Sequence, residues 1–202
     1  MAPDPRGPGG KDIMRTLRPT DYVLTGLLTA VAVLIGIENV TALAGSALAH
    51  PLDTQSPLLI PVFIAAVIPI LWRRSSVLPA LAITFVVLAL SLPAFGWVTR
   101  CGFGLPLMAA YAYAIARFGG TWPRHLIGGA GIVGSIVVIL LKDASTGGIS
   151  SPTGLMGGAL PIALGLAVLG YAAGLVVDAI ARRRTAASVT RPAPTLSVNQ
   201  AG

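Results

Sequence analysis

Six apolar stretches separated by short polar links run through the chain: Tyr22–Ala44, Pro57–Trp72, Val77–Trp97, Gly102–Ala116, His125–Leu141 and Leu155–Ala181. A helix needs about 20 residues to cross the hydrocarbon core, with a usual range of roughly 17–25. The second and fourth stretches fall slightly short; flanking Ser, Gly and aromatic residues, or local bilayer thinning, make up the difference. The links Trp72–Ser76 and Arg117–Arg124 are short enough to force antiparallel neighbours. Stretches two and three therefore form one helical hairpin, and four and five another. The pattern predicts an all-α, polytopic integral membrane bundle of about six transmembrane helices. Residues 1–20 read as a disordered basic arm, 21–184 as the membrane domain, and 185–202, with Pro192 and Pro194 and no apolar period, as a disordered tail.

Composition narrows the class. Of the 202 residues, 54% are apolar and 10% charged, against roughly 25% charged in a soluble domain. The mean hydropathy of +0.82 agrees. A net charge of +7 would suggest nucleic acid in a soluble protein. Here the charge is divided among links and termini, with no basic patch interleaved with aromatics, so nucleic acid is not an expected partner; the lipid bilayer is. The single cysteine, Cys101, excludes an internal disulfide and a cysteine-based metal cluster.

The basic residues also give sidedness. With both termini on one side, 12 of the 14 Lys and Arg fall on that side, and Arg100 and Lys142 fall opposite. Positive charge accumulates on the cytoplasmic face, so both termini are placed in the cytoplasm of a multi-pass cell-membrane protein. Trp72, Trp97 and Trp122 lie at stretch ends, where an amphipathic ring favours the headgroup region. With Arg73, Arg74, Arg182, Arg183 and Arg184 they form a set of interface anchors. A competing reading takes the first stretch as a secretory signal cleaved after Ala42-Leu43-Ala44 or Ala47–Ala49. Against it, the apolar run is long for a signal, and Glu38 and Asn39 precede the site.

Candidate chemistry is sparse. Glu38 lies about 24 Å along a helix from Tyr22 at ~1.5 Å per residue, toward the outer edge of the bilayer. An intramembrane carboxylate is a functional candidate, but at that depth an ionised, wetted Glu38 is the plainer reading. Arg100, at the neighbouring outer end, either pairs with Glu38, meets an external anion or snorkels. Asp178 and Arg182 have the spacing of a helical ion pair. Asp53, Asp143 and Lys142 are assigned to outer loops. His50 and His125 fall on opposite faces and cannot share a metal. Gly134-Ser135 has no histidine at its depth, which excludes a serine-protease pair. No catalytic, cofactor or metal residues are expected, and the chain reads as a non-enzyme. Gly170 and Gly174 form a GxxxG, and Gly131/Ser135 and Ala130/Gly134 are small-residue pairs suited to close packing, within the chain or in a homodimer. Pro61, Pro69, Pro106 and Pro161 are expected to kink their helices.

Three segments carry a resemblance. Leu17-Arg18-Pro19-Thr20-Asp21, the run from Ile70 to Pro79 around Arg73-Arg74, and Ala110–Gly119 with its Tyr-Ala-Tyr-Ala-Ile-Ala-Arg-Phe core resemble the N-terminal membrane module of actinobacterial sensor histidine kinases. The resemblance covers roughly 17–184 and implies a sensory module whose last helix leads through arginines into a kinase core. The sequence has no histidine after His125 and 18 residues after Arg184, so the family's catalytic residues map onto nothing here. The expectation is a sensor or anchor portion without its own kinase, whether a stand-alone protein, the partner of a separate signalling kinase or a truncated reading frame, with a small transporter or channel subunit as the alternative.

Overall fold

The computed structural model describes residues 17–41, 54–96, 99–146 and 159–189. They form helices α1 (Pro19–Thr41), α2 (Leu59–Val67), α3 (Val77–Phe95), α4 (Gly104–Phe118), α5 (Trp122–Thr146) and α6 (Leu160–Val189), and α2 runs on as a 3-10 segment, Ile68–Trp72. The architecture is all-helical. α1, α3, α5 over Trp122–Lys142 and α6 over Leu160–Ala186 are each long and apolar enough to cross a bilayer. The chain is a helical membrane protein. α2 with its 3-10 extension, and α4 with 15 residues, are shorter, near 22–24 Å at 1.5 and 2.0 Å per residue.

The helix bounds follow local chemistry. Gly96 ends α3 at a positive φ of 81°, which glycine adopts at no steric cost, with its N–H bonded to the Leu92 carbonyl at 2.9 Å. Gly120, at φ 75°, makes the turn between α4 and α5. Pro61, Pro106 and Pro161 fall in the first turns of α2, α4 and α6, where a backbone N–H has no intrahelical acceptor to lose. Pro69 sits where α2 tightens into its 3-10 segment.

Large apolar side chains fill the interior: Phe63, Phe103, Leu107, Met108, Ile136 and Ile139 are fully buried. Phe63 and Phe103 meet with ring centroids 4.7 Å apart. Leu27, Leu34, Val86, Leu90, Leu169 and Val176 point outward. In water this would be an aggregating surface; around a bundle in lipid it is the solvent-matched face.

Because lipid tails are as apolar as leucine, close backbone approach and polar contacts drive helix association. α4 and α6 make the most extensive pair. A Cβ on Gly170 would collide with the Ala109 carbonyl, and one on Gly174 with the Tyr113 carbonyl and the Ala116 methyl. The GxxxG therefore packs within the chain. Gly131 likewise gives α5 room against Leu81 of α3.

Two assignments from the sequence change. Lys142 and Asp143 belong to α5, not to a loop, since the helix continues to Thr146. α6 runs to Val189, past the expected domain boundary at 184. Trp97, His50, Asp53, Gly147-Gly148 and the Ala-rich segments after Thr41 lie outside the described residues.

Candidate functional site

At one end of the bundle an acid and two arginines are drawn together from distant positions. Asp21, in the first turn of α1, is buried. Its Oδ1 accepts from Arg73 Nε at 3.2 Å and Nη2 at 2.6 Å; its Oδ2 accepts from Arg74 Nε at 2.6 Å and from the Arg18 backbone N–H at 3.0 Å. Four donors on one carboxylate satisfy it as fully as a buried acid can be. The local sequence explains the geometry. The 3-10 turn ending at Trp72 aims two consecutive arginines back at α1, and the Asp21 N–H closes a turn on the Arg18 carbonyl at 2.8 Å.

The network continues sideways. The Arg74 guanidinium lies over the Phe118 ring at 5.3 Å from its centroid, and Arg117 lies over the same ring at 5.5 Å. Arg117 Nη1 donates to Tyr113 Oη at 2.9 Å. Nearby, Tyr171 Oη and His125 Nδ1 are 3.0 Å apart, joining α6 to the start of α5. The His125 ring lies against Gly119, where a Cβ would come within 3.2 Å of Nε2. This arginine end thus links α1, the α2–α3 turn, α4, α5 and α6.

Mid-bundle, Thr84 Oγ1 donates to the Ala66 carbonyl at 2.8 Å and lies 2.8 Å from Tyr111 Oη, which itself is 3.2 Å from the Ala80 carbonyl. Two hydroxyl protons serve three contacts, so one contact always lacks a proton.

The opposite end holds Lys142, wholly buried, with Nζ donating to Ser91 Oγ at 2.8 Å. Ser91 in turn donates to the Leu88 carbonyl at 2.6 Å. An ammonium has three donors and is costly to bury without a counter-charge. At the same end Asn39, fully buried, clamps the chain at Arg100: its Nδ2 donates to the Arg100 carbonyl at 3.0 Å and its Oδ1 accepts the Arg100 N–H at 2.9 Å.

Glu38 and Arg100 are brought together, 3.5 Å apart, but both reach solvent, with side chains 59% and 35% exposed. That makes them a weak surface pair. Trp72 and Trp122 are exposed at helix ends. Arg74 is partly exposed, whereas Arg73 is buried, so Arg73 is an internal ion-pair partner rather than a headgroup anchor. Arg182, Arg183 and Arg184 are exposed on α6, with Arg182 paired to Asp178 at 2.7 Å.

Asp21 and Lys142 are the groups the sequence reading passed over. The available signal for Asp21 was an acid opening an apolar run opposite an Arg-Arg turn. For Lys142 it was an apolar period that does not break before Asp143. Among the described residues no three of His, Cys, Asp and Glu group as metal ligands. No protein-family model, curated protein or solved structure matches the chain.

Proposed function

We propose that this chain is a non-enzymatic sensory or regulatory module of the cell membrane, with both termini cytoplasmic, that passes a helix rearrangement to a separate signalling partner. The observation that carries the reading is α6. It is one helix of 30 residues, about 45 Å long at 1.5 Å per residue against a core of roughly 30 Å. Its exposed Arg182–Arg184 turn therefore leaves the apolar span without a break in the helix. The arginine end supplies the connection. Asp21 holds α1 to the Arg73-Arg74 turn, Phe118 carries the contact to α4, and α4 packs on α6 through Gly170 and Gly174. A shift of α1 relative to α4 changes the seat of α6. The resemblance of 17–184 to kinase membrane modules supports the same reading, with a kinase or a second copy as partner.

Capture of the tagged full chain from mild detergent tests it. Recovery of a signalling kinase, lost when Arg182–Arg184 are changed to Gln, is the expected result. Recovery of no signalling protein, with an unchanged stress response in a deletion strain, would sink it. A small transporter or channel subunit is the second reading, favoured by Lys142, since a buried cation in a span commonly marks a transport path. It requires flux in reconstituted vesicles that Lys142→Met and Glu38→Gln abolish; the sensory reading requires none.

A further inference from the structure

The arginine end has more cation than its own acid can match. Arg18, Arg73, Arg74 and Arg117 converge on an end whose buried carboxylate, Asp21, is already saturated by four donors, and whose other described carboxylate, Asp178, is paired with Arg182. Each guanidinium presents five N–H groups. Arg74 spends Nε on Asp21 and one Nη2 hydrogen on Thr20 Oγ1 at 3.4 Å. Arg117 spends one Nη1 hydrogen on Tyr113. Both guanidiniums are held at the same Phe118 ring, within 5.5 Å of its centroid, and both are partly exposed. Two like charges gathered at one ring repel; Asp21 offsets Arg74 through its Nε, and among the described residues Arg117 is in no ion pair.

The surroundings say what kind of anion. Tyr22 and Trp72 are exposed at the same ends of α1 and the 3-10 segment, and Trp122 at the start of α5. Exposed Tyr and Trp mark the headgroup level of a bilayer. Below them the outward faces are Val23, Leu27 and Ile68, a surface for acyl chains. We propose that Arg74 and Arg117, flanking Phe118, bind the phosphate of an anionic phospholipid headgroup. Phosphate is matched by guanidinium donors, and basic pockets between helices at a bilayer surface suit such lipids. The proposal is independent of the sensory reading, since a transporter would carry the same lipid site.

The test uses the full chain in detergent, titrated with phosphatidylglycerol or phosphatidylcholine and read by native mass spectrometry as bound lipid. Phosphatidylglycerol should be retained preferentially. Arg117→Gln, which leaves the Asp21 ion pairs intact, should weaken retention about fivefold, the effect of one arginine near an anionic surface. Arg182→Gln, on the exposed part of α6, should change it less than twofold. Arg117→Lys should restore part of the loss. Equal retention of the two lipids, equal losses for Arg117→Gln and Arg182→Gln, or displacement of the lipid by millimolar inorganic phosphate would each overturn the proposal.

Discussion

Replacing Asp21 with Asn should destabilise the bundle more than any other single polar substitution at the arginine end. The change keeps the shape of the side chain and removes its charge. Both Asp21 oxygens are buried, and the partner side chains are 8% exposed for Arg73 and 19% for Arg74. Breaking a buried pair by removing one partner costs about 3–5 kcal/mol, because the remaining charge is left uncompensated. Arg74 is wetter and can turn to solvent, so its share is smaller and the total falls near the lower bound, about 3 kcal/mol. At roughly 2–4 °C per kcal/mol for a chain of this size, the melting temperature in detergent should fall by about 6–12 °C. Tryptophan fluorescence during heating reads it directly. Arg73→Gln should cost more than Arg74→Gln, in the order of their burial. A double change, Asp21→Leu with Arg73→Met, should recover much of the loss, since a packed apolar pair replaces a buried ion pair at little net cost. A shift below 1 °C for Asp21→Asn, or a larger loss for Arg74→Gln than for Arg73→Gln, would refute the assignment of Asp21 as the hub.

The same reasoning gives opposite signs at the other end. Lys142→Met removes a buried charge and should leave stability unchanged or raise it by about 1 kcal/mol, while Ser91→Ala strands the ammonium and should lower it by about 2–3 kcal/mol; both are read by thermal unfolding. Gly174→Leu forces α4 from α6 and should lower the melting temperature more than Gly165→Leu, whose Cβ meets nothing. Asp178→Asn removes an exposed i,i+4 pair and should change stability by less than about 0.5 kcal/mol. Asn39→Ala frees the backbone at Arg100 and should raise amide exchange at Arg100 and Cys101 without affecting Arg73 or Arg74.

The helices were legible because the apolar runs are long and their breaks carry Gly or paired arginines. Hydropathy fails at the polar positions, for a physical reason. A residue such as Lys142 scores as a loop signal whether it faces water or is buried against Ser91, and only the fold decides which. Asp21 scores as an ordinary first-turn acid until the 3-10 turn brings Arg73 and Arg74 back onto it across more than fifty residues. The Glu38–Arg100 contact was foreseeable from depth alone, since both sit at one end level. An apolar run does not show where a helix starts, so Pro61, Pro106 and Pro161 read as mid-span, whereas they occupy first turns, where a proline costs little. Whether Gly170 and Gly174 pack internally or between copies was likewise undecidable from spacing; the Ala109 and Tyr113 carbonyls settle it.

The coupling of α1 to the α6 exit is the claim on which the functional account turns, and a spin-label distance reads it most directly. Labels at Ser75→Cys and Arg184→Cys, in a Cys101→Ser background, report the separation of the Arg73-Arg74 turn from the exit of α6 in the full chain in bilayers. A narrow distribution that shifts or broadens by several ångströms in Asp21→Asn is the predicted result. An identical distribution, in a variant shown to remain folded, would contradict the coupling.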